Sequence, residues 1–574
     1  MTIALALLLF APSTAAAKEK QVVLAWLPSD TTIAQLAHAG FSPGVMSAGL
    51  GTVPTLQTYL DVGQGNRVFD SLYDRSLPES NNKARWWREA VERAESAPAE
   101  IVPGLLKKTL RENHVRFQFS EVLTATLDRL PPRRSYQLLI AIAWPTGKSD
   151  EPVAIGIAGS GFDGNLTSDS TRTDGYVLST DVAPTILQRL GIGIPSQMSG
   201  QPIHAEGSVD PGAIESLVAR MDVISSRRGP VIGLNVVIWL AALALVALLG
   251  RGRLARPAVR VTGLAIVYLP LVLLLGAAFE PGETAEQLLV LLLSPMLAAL
   301  TLVALRGYRA LAVASALTVV AYAIDVIAGS PLTSLSLLGP NPGLGVRFYG
   351  IGNELEALLA VLVVAGTGAA LAGFAARAPR ATAATTFVFV GLVAAVIFAA
   401  GRFGADVGAA IVFPVGAVAA AVAILGRGRR TSLLAILAAP LAVLALLALI
   451  DLLSGANAHL TRSVLDAGGL GDLADVAQRR LQLSAHSFAR PVLLAFLPVV
   501  AVAAALAYVR RDRLRRWVAG VPAVRAGLIG ALAATVVGTL ANDSGALLLE
   551  IGAAYLLVFT GFAWAESDAG PADR

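Results

Sequence analysis

VIGLNVVIWLAALALVALLG, at residues 231–250, decides the fold class, because twenty consecutive residues carry no charged side chain. A helix of about 20 apolar residues is long enough to cross the ~30 Å hydrocarbon core of a bilayer. Apolar runs of similar length follow it along the chain. Together they predict eleven membrane-spanning helices, near residues 231–250, 261–279, 286–305, 309–328, 354–374, 383–401, 405–426, 431–452, 489–509, 521–541 and 544–565.

The composition divides the chain into two parts. Only 15% of the 574 residues are charged, whereas ordinary soluble domains carry about 25%. Residues 18–228 have the mixed composition of a globular domain, and residues 229–566 contain the apolar runs. We therefore predict an α/β domain over 18–228, an all-α transmembrane bundle of about eleven helices over 229–566, and a short tail at 567–574.

Residues 1–17 have the pattern of a secretory signal peptide. The apolar run at residues 3–10 is followed by Ala15, Ala16 and Ala17, which form a small-residue cleavage site before Lys18. The run is too short to span a bilayer. No Lys or Arg precedes it, so an uncleaved anchor and a misassigned start stay open as alternatives.

Arginine placement predicts the orientation in the membrane. Loops on the cytoplasmic side of membrane proteins are enriched in Lys and Arg. If residues 18–228 are extracytoplasmic, every predicted inside loop is basic, and the outside loop at 280–285 carries Glu280 and Glu283 instead. The inside arginines are Arg251, Arg253, Arg256, Arg260, Arg306, Arg309, Arg377, Arg380, Arg427, Arg429, Arg430, Arg510, Arg511, Arg513, Arg515 and Arg516. We expect a multi-pass protein of the cell membrane with a cytoplasmic C-terminus, whose partner is the lipid bilayer and not nucleic acid.

The soluble part alternates strand and helix patterns, which favours an α/β layer fold. The predicted strands are the apolar runs at residues 21–27, 138–143 and 153–158. The predicted helices lie at residues 86–94, 103–113 and 183–190.

One segment of this domain resembles a known superfamily. Residues 155–203, and above all TDVAPTIL at 180–187 followed by Leu190-Gly191, Pro195, Met198 and Gly200, resemble the carboxy-terminal part of alkaline-phosphatase and sulfatase domains. Residues 22–27 and 51–67 stand where that fold has its first strand and its nucleophile region. The resemblance implies an alkaline-phosphatase-like fold.

The resemblance also implies which residues should hold two metal ions, and here the sequence departs from the family. Active members place an Asp directly after the first strand and an Asp-His-Gly after a later one. This chain has Pro28-Ser29-Asp30 and Trp144-Pro145-Thr146-Gly147 at those places. Cysteine is absent and there are five histidines, which leaves little material for a metal site. We therefore predict a degenerate, inactive domain without metal or cofactor, in which Thr52 and Thr55 are ordinary loop residues.

Polar residues cluster at the predicted outer ends of the helices. The first cluster surrounds the start of span 354–374, where Asn353 is a suitable helix cap and acids suit the helix dipole. The second contains Arg402 and Asp406, which would face each other on a helix. The third is Asn542-Asp543-Ser544, and Asp325 and Glu550 lie within spans. The candidate catalytic residues are Glu354, Glu356 and Asp406, and the candidate substrate-binding residues are Arg347, Tyr349, Asn353, Arg402, Asn542 and Asp543. A purely structural role for each cluster stays open.

Two connecting segments have distinctive compositions. Residues 330–352 are rich in Gly and Pro and apolar in parts, which suits a stretch that dips into the membrane where protein satisfies its backbone. Residues 454–490, with His459 and His486, contain an amphipathic pattern typical of a helix on the membrane surface.

Three functions remain open from the sequence. The first is a cell-envelope protein that binds or handles a phosphate- or sugar-bearing substrate, lipid-linked substrates included, at the outer face. In this case the helical bundle either catalyses a transfer reaction or only binds the substrate. Whether the chain is an enzyme therefore stays open. The second is a secondary transporter or flippase that uses the outer carboxylates, and the third is a non-catalytic assembly factor. No Walker motif is present to support ATP-driven transport.

Overall fold

The computed structural model describes residues 22–79, 82–97, 99–115, 117–120, 127, 137–149, 151–249, 254–426, 428–453, 484–485, 487–488 and 491–567. The predicted signal peptide, residues 454–483 of the predicted surface helix with His459, and His486 lie outside the described residues, as do Arg251, Arg253, Arg427 and the tail from residue 568. The chain forms two compact units, which meet between Ser216 and Leu217 rather than at the predicted residue 228. The earlier boundary falls inside a helix, because Pro211–Arg227 continues across it.

The first unit is an α/β structure, as predicted. Its strands are β1 Val22–Leu27, β2 Ser42–Ser47, β3 Val53–Pro54, β4 Phe117–Ser120, β5 Leu138–Ala143, β6 Lys148–Ser149, β7 Val153–Gly159, β8 Asn165–Ser168, β9 Tyr176–Leu178 and β10 Ile203–Glu206. Its helices are α1 Ile33–His38, α2 Thr55–Gln64, α3 Lys83–Ala94, α4 Leu105–Glu112, α5 Val182–Leu190 and α6 Pro211–Arg227, the last of which runs on into the second unit.

Within the described part of this unit the main sheet has six strands in the order β4-β1-β5-β7-β2-β9. β1 is parallel to β4 and β5, β9 is parallel to β2, and β7 is antiparallel to both of its neighbours. β1 and β5 are buried along their whole length, which is why they appear in the sequence as continuous apolar runs. Their side chains form the core of the unit with α5, including Leu24, Ile140 and Ile186.

The second unit is helical. After α6 and a π-helical turn, Arg228–Leu234, come α7 Asn235–Leu249, α8 Ala255–Phe279, α9 Glu283–Ala304, α10 Tyr308–Ile327, α11 Asn353–Phe374 and α12 Arg380–Ala399. They are followed by α13 Ala409–Leu425, α14 Arg429–Leu453, α15 Pro491–Val509, α16 Arg511–Trp517, α17 Pro522–Ala541 and α18 Gly545–Glu566.

Among the described residues, nine helices are long and apolar enough to cross a bilayer, which is the architecture of a multi-pass membrane protein. The other two of the eleven predicted spans coincide with shorter apolar stretches of helix in the described residues, Ala409–Leu425 and Phe496–Val509. α13 starts later than the predicted residue 405, since residues 401–408 form turns. The first span is longer than predicted and belongs to a continuous helix over Pro211–Val246.

Small residues allow α11, α13 and α17 to pack closely. A side chain on Gly530 of α17 would collide with the carbonyl oxygen of Gly416 on α13, and one on Gly527 would lie 3.1 Å from the carbonyl oxygen of Val364 on α11. Close helix approach at glycine is typical of membrane bundles. The result is a rigid core of three helices whose ends meet at one place.

The Gly- and Pro-rich stretch between α10 and α11 is a folded, non-helical segment. The carboxylate of Asp325, at the end of α10, accepts hydrogen bonds from the backbone N–H groups of Leu332 and Thr333 at 3.1 and 2.7 Å. The Ser330 hydroxyl accepts one from Gly350 N–H at 2.8 Å. Asp325, predicted as part of a site, therefore organises this segment, whose buried backbone is bonded within the protein as non-helical chain in a membrane protein requires.

Candidate functional site

Three stretches that are distant in sequence meet at one end of the helical unit: the first turn of α11 with the residues before it, the turn between α12 and α13, and the end of α17. We call this place the acidic site. Its members are Arg347, Asn353, Glu356, Asp406, Asn542 and Asp543. The structure thus brings together residues from all three of the polar clusters seen in the sequence.

Glu356 lies at the centre of the acidic site and is fully buried. Its Oε2 accepts a 2.7 Å hydrogen bond from Nδ2 of Asn542, which also donates to Oδ1 of Asn353 at 3.1 Å. Nδ2 of Asn353 donates in turn to Oδ1 of Asp543 at 3.3 Å. The other carboxylate oxygen, Glu356 Oε1, is buried and has no hydrogen-bond partner within the part of the chain that the structure describes.

Asp406 supplies the second buried carboxylate. Its Oδ1 accepts hydrogen bonds from the N–H groups of Gly408 and Ala409 at the start of α13, at 2.8 and 3.4 Å. Its Oδ2 lies 3.3 Å from Nη1 of Arg347, which also donates to the carbonyl oxygen of Ile351. About a third of the Arg347 side chain (35%) is exposed, so this guanidinium faces both the buried acid and the outside.

Gly408 separates the two acids. A Cβ at this position would lie 2.5–2.7 Å from the carboxylate of Glu356, so that carboxylate packs directly against the glycine. The N–H of the same residue is bonded to Asp406. The two carboxylates therefore approach each other across one residue, and only glycine leaves room for this arrangement.

Several predicted roles need correction. Asp406 pairs with Arg347 and not through the predicted helical spacing with Arg402, because residues 401–406 form turns. Arg402 is exposed and Tyr349 is partly buried, both near the site. Asn353 is the first residue of α11 rather than its cap, a position that Gly352 occupies.

Glu354 stands apart from the acidic site. Its carboxylate pairs with Arg228 of the π-helical turn at 3.5 Å, and Arg228 also donates to the carbonyl oxygen of Gly339. Nearby, the buried Glu286 of α9 pairs with Arg220 at 2.9 Å and with Arg227 at 3.1 Å. Sequence reasoning missed these arginines. The sequence does contain two features that predict such pairs. Arg227 and Arg228 stand directly before the first apolar span, and Glu286 stands at the start of the third.

Glu550 is the remaining predicted intramembrane acid. It lies in α18, and one of its carboxylate oxygens, Oε1, is buried and finds no hydrogen-bond partner in the described ranges. None of the hydrogen bonds that define the acidic site includes it. It therefore remains a separate charged group within a span, of the kind that usually has a function.

The acidic site combines three carboxylates, those of Glu356, Asp406 and Asp543, with one guanidinium. No group of three or more His, Asp or Glu side chains that could hold a metal ion occurs within the described ranges. The arrangement offers a buried acceptor oxygen, the partly exposed side chain of Arg347 and two amides. Those groups can bind a polar substrate and remove a proton from it.

The buried acids of the α/β unit have different surroundings. Asp61 in α2 accepts hydrogen bonds from Gln57 at 2.7 Å and Gln64 at 3.0 Å, and burial raises the pKa of its carboxyl to about 7. Burial also raises the pKa of the carboxyl group of Asp181, the residue directly before α5. The Thr55 hydroxyl donates to the carbonyl oxygens of Pro145 and Gly147 at 3.1 and 2.8 Å. This threonine, predicted as a loop residue, is the first residue of α2 and connects the start of that helix to the loop after β5.

No protein-family model matches the chain, and no curated protein or solved structure shows significant similarity to it.

Proposed function

We propose that this membrane protein binds a phosphate- or sugar-bearing substrate at the acidic site and that Glu356 accepts a proton from a hydroxyl group of that substrate in a transfer reaction. The observation that carries the proposal is the buried Oε1 of Glu356, for which the described residues provide no hydrogen-bond donor. A buried acceptor without a partner costs about 1–3 kcal/mol. A substrate hydroxyl would supply the missing donor.

Glu356 has the properties of a general base. Asn542 holds one of its oxygens, so the other has a fixed direction. A carboxylate whose lone pair points at the reacting hydroxyl needs no reorganisation at the moment of transfer. Asp406 is bonded to the start of α13 and to Arg347, which suits it to keep the charges of the site in place.

Arg347 is suited to bind phosphate. A guanidinium makes paired hydrogen bonds to phosphate oxygens, and about a third of this side chain (35%) is exposed beside the acid pair. Asn353 and the exposed Asp543 are at the rim, where they could bind sugar hydroxyls. We also propose that this end faces the outside, because the arginine pattern orients it so, and that the α/β unit is an inactive phosphatase-like domain that captures the same substrate.

A proton-coupled transporter or flippase is the second candidate, and the excess of carboxylates over arginine in the acidic site favours it. Three acids beside one guanidinium attract protons or cations, and intramembrane carboxylates commonly relay them. Both candidates use Glu356, but only a transporter requires a gradient.

The test compares Glu356→Gln with Glu354→Gln, a neighbouring acid in the same helical turn. The assay is transfer of label from phosphate- and sugar-bearing lipids by the full-length protein in detergent. A lost general base lowers turnover by about 10²–10⁴-fold, so we expect that loss in Glu356→Gln and near-normal turnover in Glu354→Gln.

Other outcomes separate the alternatives. Absence of turnover in detergent, together with gradient-driven flux in proteoliposomes that Glu356→Gln abolishes, would establish the transporter. Full complementation of a deletion strain by both Glu356→Gln and Asp406→Asn would refute any function of the acidic site and favour an assembly role.

A further inference from the structure

A short basic helix lies at the opposite end of α17 from the acidic site. α16, Arg511–Trp517, ends shortly before Pro522, where α17 begins, whereas Asn542 of the acidic site follows the last residue of α17. α17 has 20 residues, a length of about 30 Å at 1.5 Å per residue. That distance is the thickness of the hydrocarbon core of a bilayer.

The two sides of α16 differ in chemistry. Leu514, Trp517 and Val518 follow the i, i+3, i+4 spacing that places side chains on one helix face. Val518 is buried against Val524 and Ala563 of the bundle, and Leu514 and Trp517 are partly buried. Arg513, Arg515 and Arg516 lie away from this face and are exposed, as is Arg511, which stands one turn before Leu514, and Arg510 precedes them.

This end of the bundle has further arginine–aromatic pairs. The guanidinium of Arg256 lies 5.7 Å from the ring centre of Trp564, that of Arg309 lies 5.5 Å from Phe374, and that of Arg511 lies 4.8 Å from Tyr508. Aromatic rings and long basic side chains are characteristic of the level of the lipid headgroups. Asp512 is the single acid in α16, and its contact with Arg515 at 3.7 Å is fully at the surface.

We infer that α16 lies along the membrane surface and binds the phosphate groups of anionic phospholipids. Five arginines within residues 510–516 exceed the one acid by four charges, and basic clusters directly beside a membrane helix attract anionic headgroups. The amphipathic pattern supports the orientation, because the apolar face packs on the bundle while the arginines face the headgroups. The inference is independent of the function of the acidic site.

The test measures binding of phosphatidylglycerol and of phosphatidylcholine with the same acyl chains to the full-length protein by native mass spectrometry. Arg511, Arg513, Arg515 and Arg516 are replaced together by Gln, and in a second variant by Lys. The matched control replaces four exposed arginines of the α/β unit, Arg75, Arg88, Arg111 and Arg189, by Gln.

We expect the α16 Gln variant to bind phosphatidylglycerol about tenfold more weakly or worse, and its affinity for phosphatidylcholine to stay unchanged. The Lys variant, which keeps the charges, and the control variant should bind like the original protein. Equal binding by the α16 Gln variant, or an equal loss in the control, would overturn the inference. Displacement of the lipid by millimolar inorganic phosphate would also overturn it, since the ligand would then be free phosphate.

Discussion

Asp181 of the α/β unit and Glu356 of the helical unit both have fully buried carboxylates, but the hydrogen-bond donors around the two carboxylates differ. The oxygens of Asp181 accept four hydrogen bonds of 2.6–3.0 Å from two serine hydroxyls and two backbone N–H groups. Among the described residues, the carboxylate of Glu356 accepts one hydrogen bond, from Asn542, and its second oxygen accepts none. Both oxygens of Asp181 therefore have hydrogen-bond donors, whereas only one oxygen of Glu356 has a donor among the described residues.

The difference separates a structural acid from a candidate functional one. A buried charge stabilises a fold only when its partners are complete, and Asp181 joins β8, the end of β9 and the loop before β10 in this way. The segment TDVAPTIL at residues 180–187 thus contains an acid with a role in folding. The carboxylate of Glu356 joins fewer elements, and the proposed ligand site rests on this difference.

The largest expected effect on stability comes from removing the carboxylate of Asp181. Asp181→Ala removes the acceptor of two buried donors, the Ser168 hydroxyl and the Leu178 N–H, each at a cost of about 1–3 kcal/mol, and also the acceptor of the less buried Ser170 and Gln201. We expect the α/β unit to lose several kcal/mol of stability and to unfold near 37 °C. Hydrogen exchange of β1 and β5 in the full-length protein measures this directly.

The control is Asp169→Ala, which replaces an exposed acid in the turn directly after β8. We expect its effect to stay within about 0.5 kcal/mol, as is usual for surface positions. Equal hydrogen-exchange protection of β1 and β5 in the Asp181 and Asp169 variants would show that Asp181 does not stabilise the fold. The contrast drawn between Asp181 and Glu356 would then be wrong.

An intermediate effect concerns pH and Asp61, whose pKa burial raises from 3.8 to about 7. Below pH 4 both the folded and the unfolded chain hold this proton. Between pH 4 and 7 the unfolded chain releases it while the folded one retains it, so the stability of the α/β unit falls as pH rises, by at most about 4 kcal/mol.

The substitution Asp61→Asn removes this titration. We expect it to raise the stability of the α/β unit at pH 8 and to change it little at pH 4, as measured by hydrogen exchange of β1 and β5 at the two values. An equal effect at both pH values would mean that Asp61 is ionised in the folded protein throughout, fully stabilised by Arg67 and Arg93.

The sequence predicted the elements whose signal is local. β1, β5 and β7 are buried apolar runs, and most spans are long apolar helices. β2 could not be predicted, because SPGVMS contains Pro and Gly, which are unfavourable in strands. It becomes a strand through its pairing with β7 and β9, which are distant in sequence.

The site was predictable as a set of residues but not as a set of contacts. Polar side chains at the ends of apolar runs marked the three clusters. Their pairing depends on which helices are neighbours, as the 186-residue separation between Glu356 and Asn542 shows. The proposed Arg402–Asp406 pair was wrong because it assumed a helix where glycines produce turns, and Arg347 takes that role.

The smallest expected effect is the change in stability caused by Glu356→Gln. The amide keeps the shape of the side chain and can still accept the hydrogen bond of Asn542, while one buried charge is removed, so apparent thermal stability should change by less than about 1 kcal/mol or rise. The same substitution at Glu286, whose carboxylate pairs with Arg220 and Arg227, should cost about 3–5 kcal/mol, because two buried cations lose their partner. A thermal unfolding series in one detergent measures both. A loss at Glu356 as large as that at Glu286 would mean that the carboxylate of Glu356 supports the fold, and its unpaired oxygen would no longer indicate a ligand.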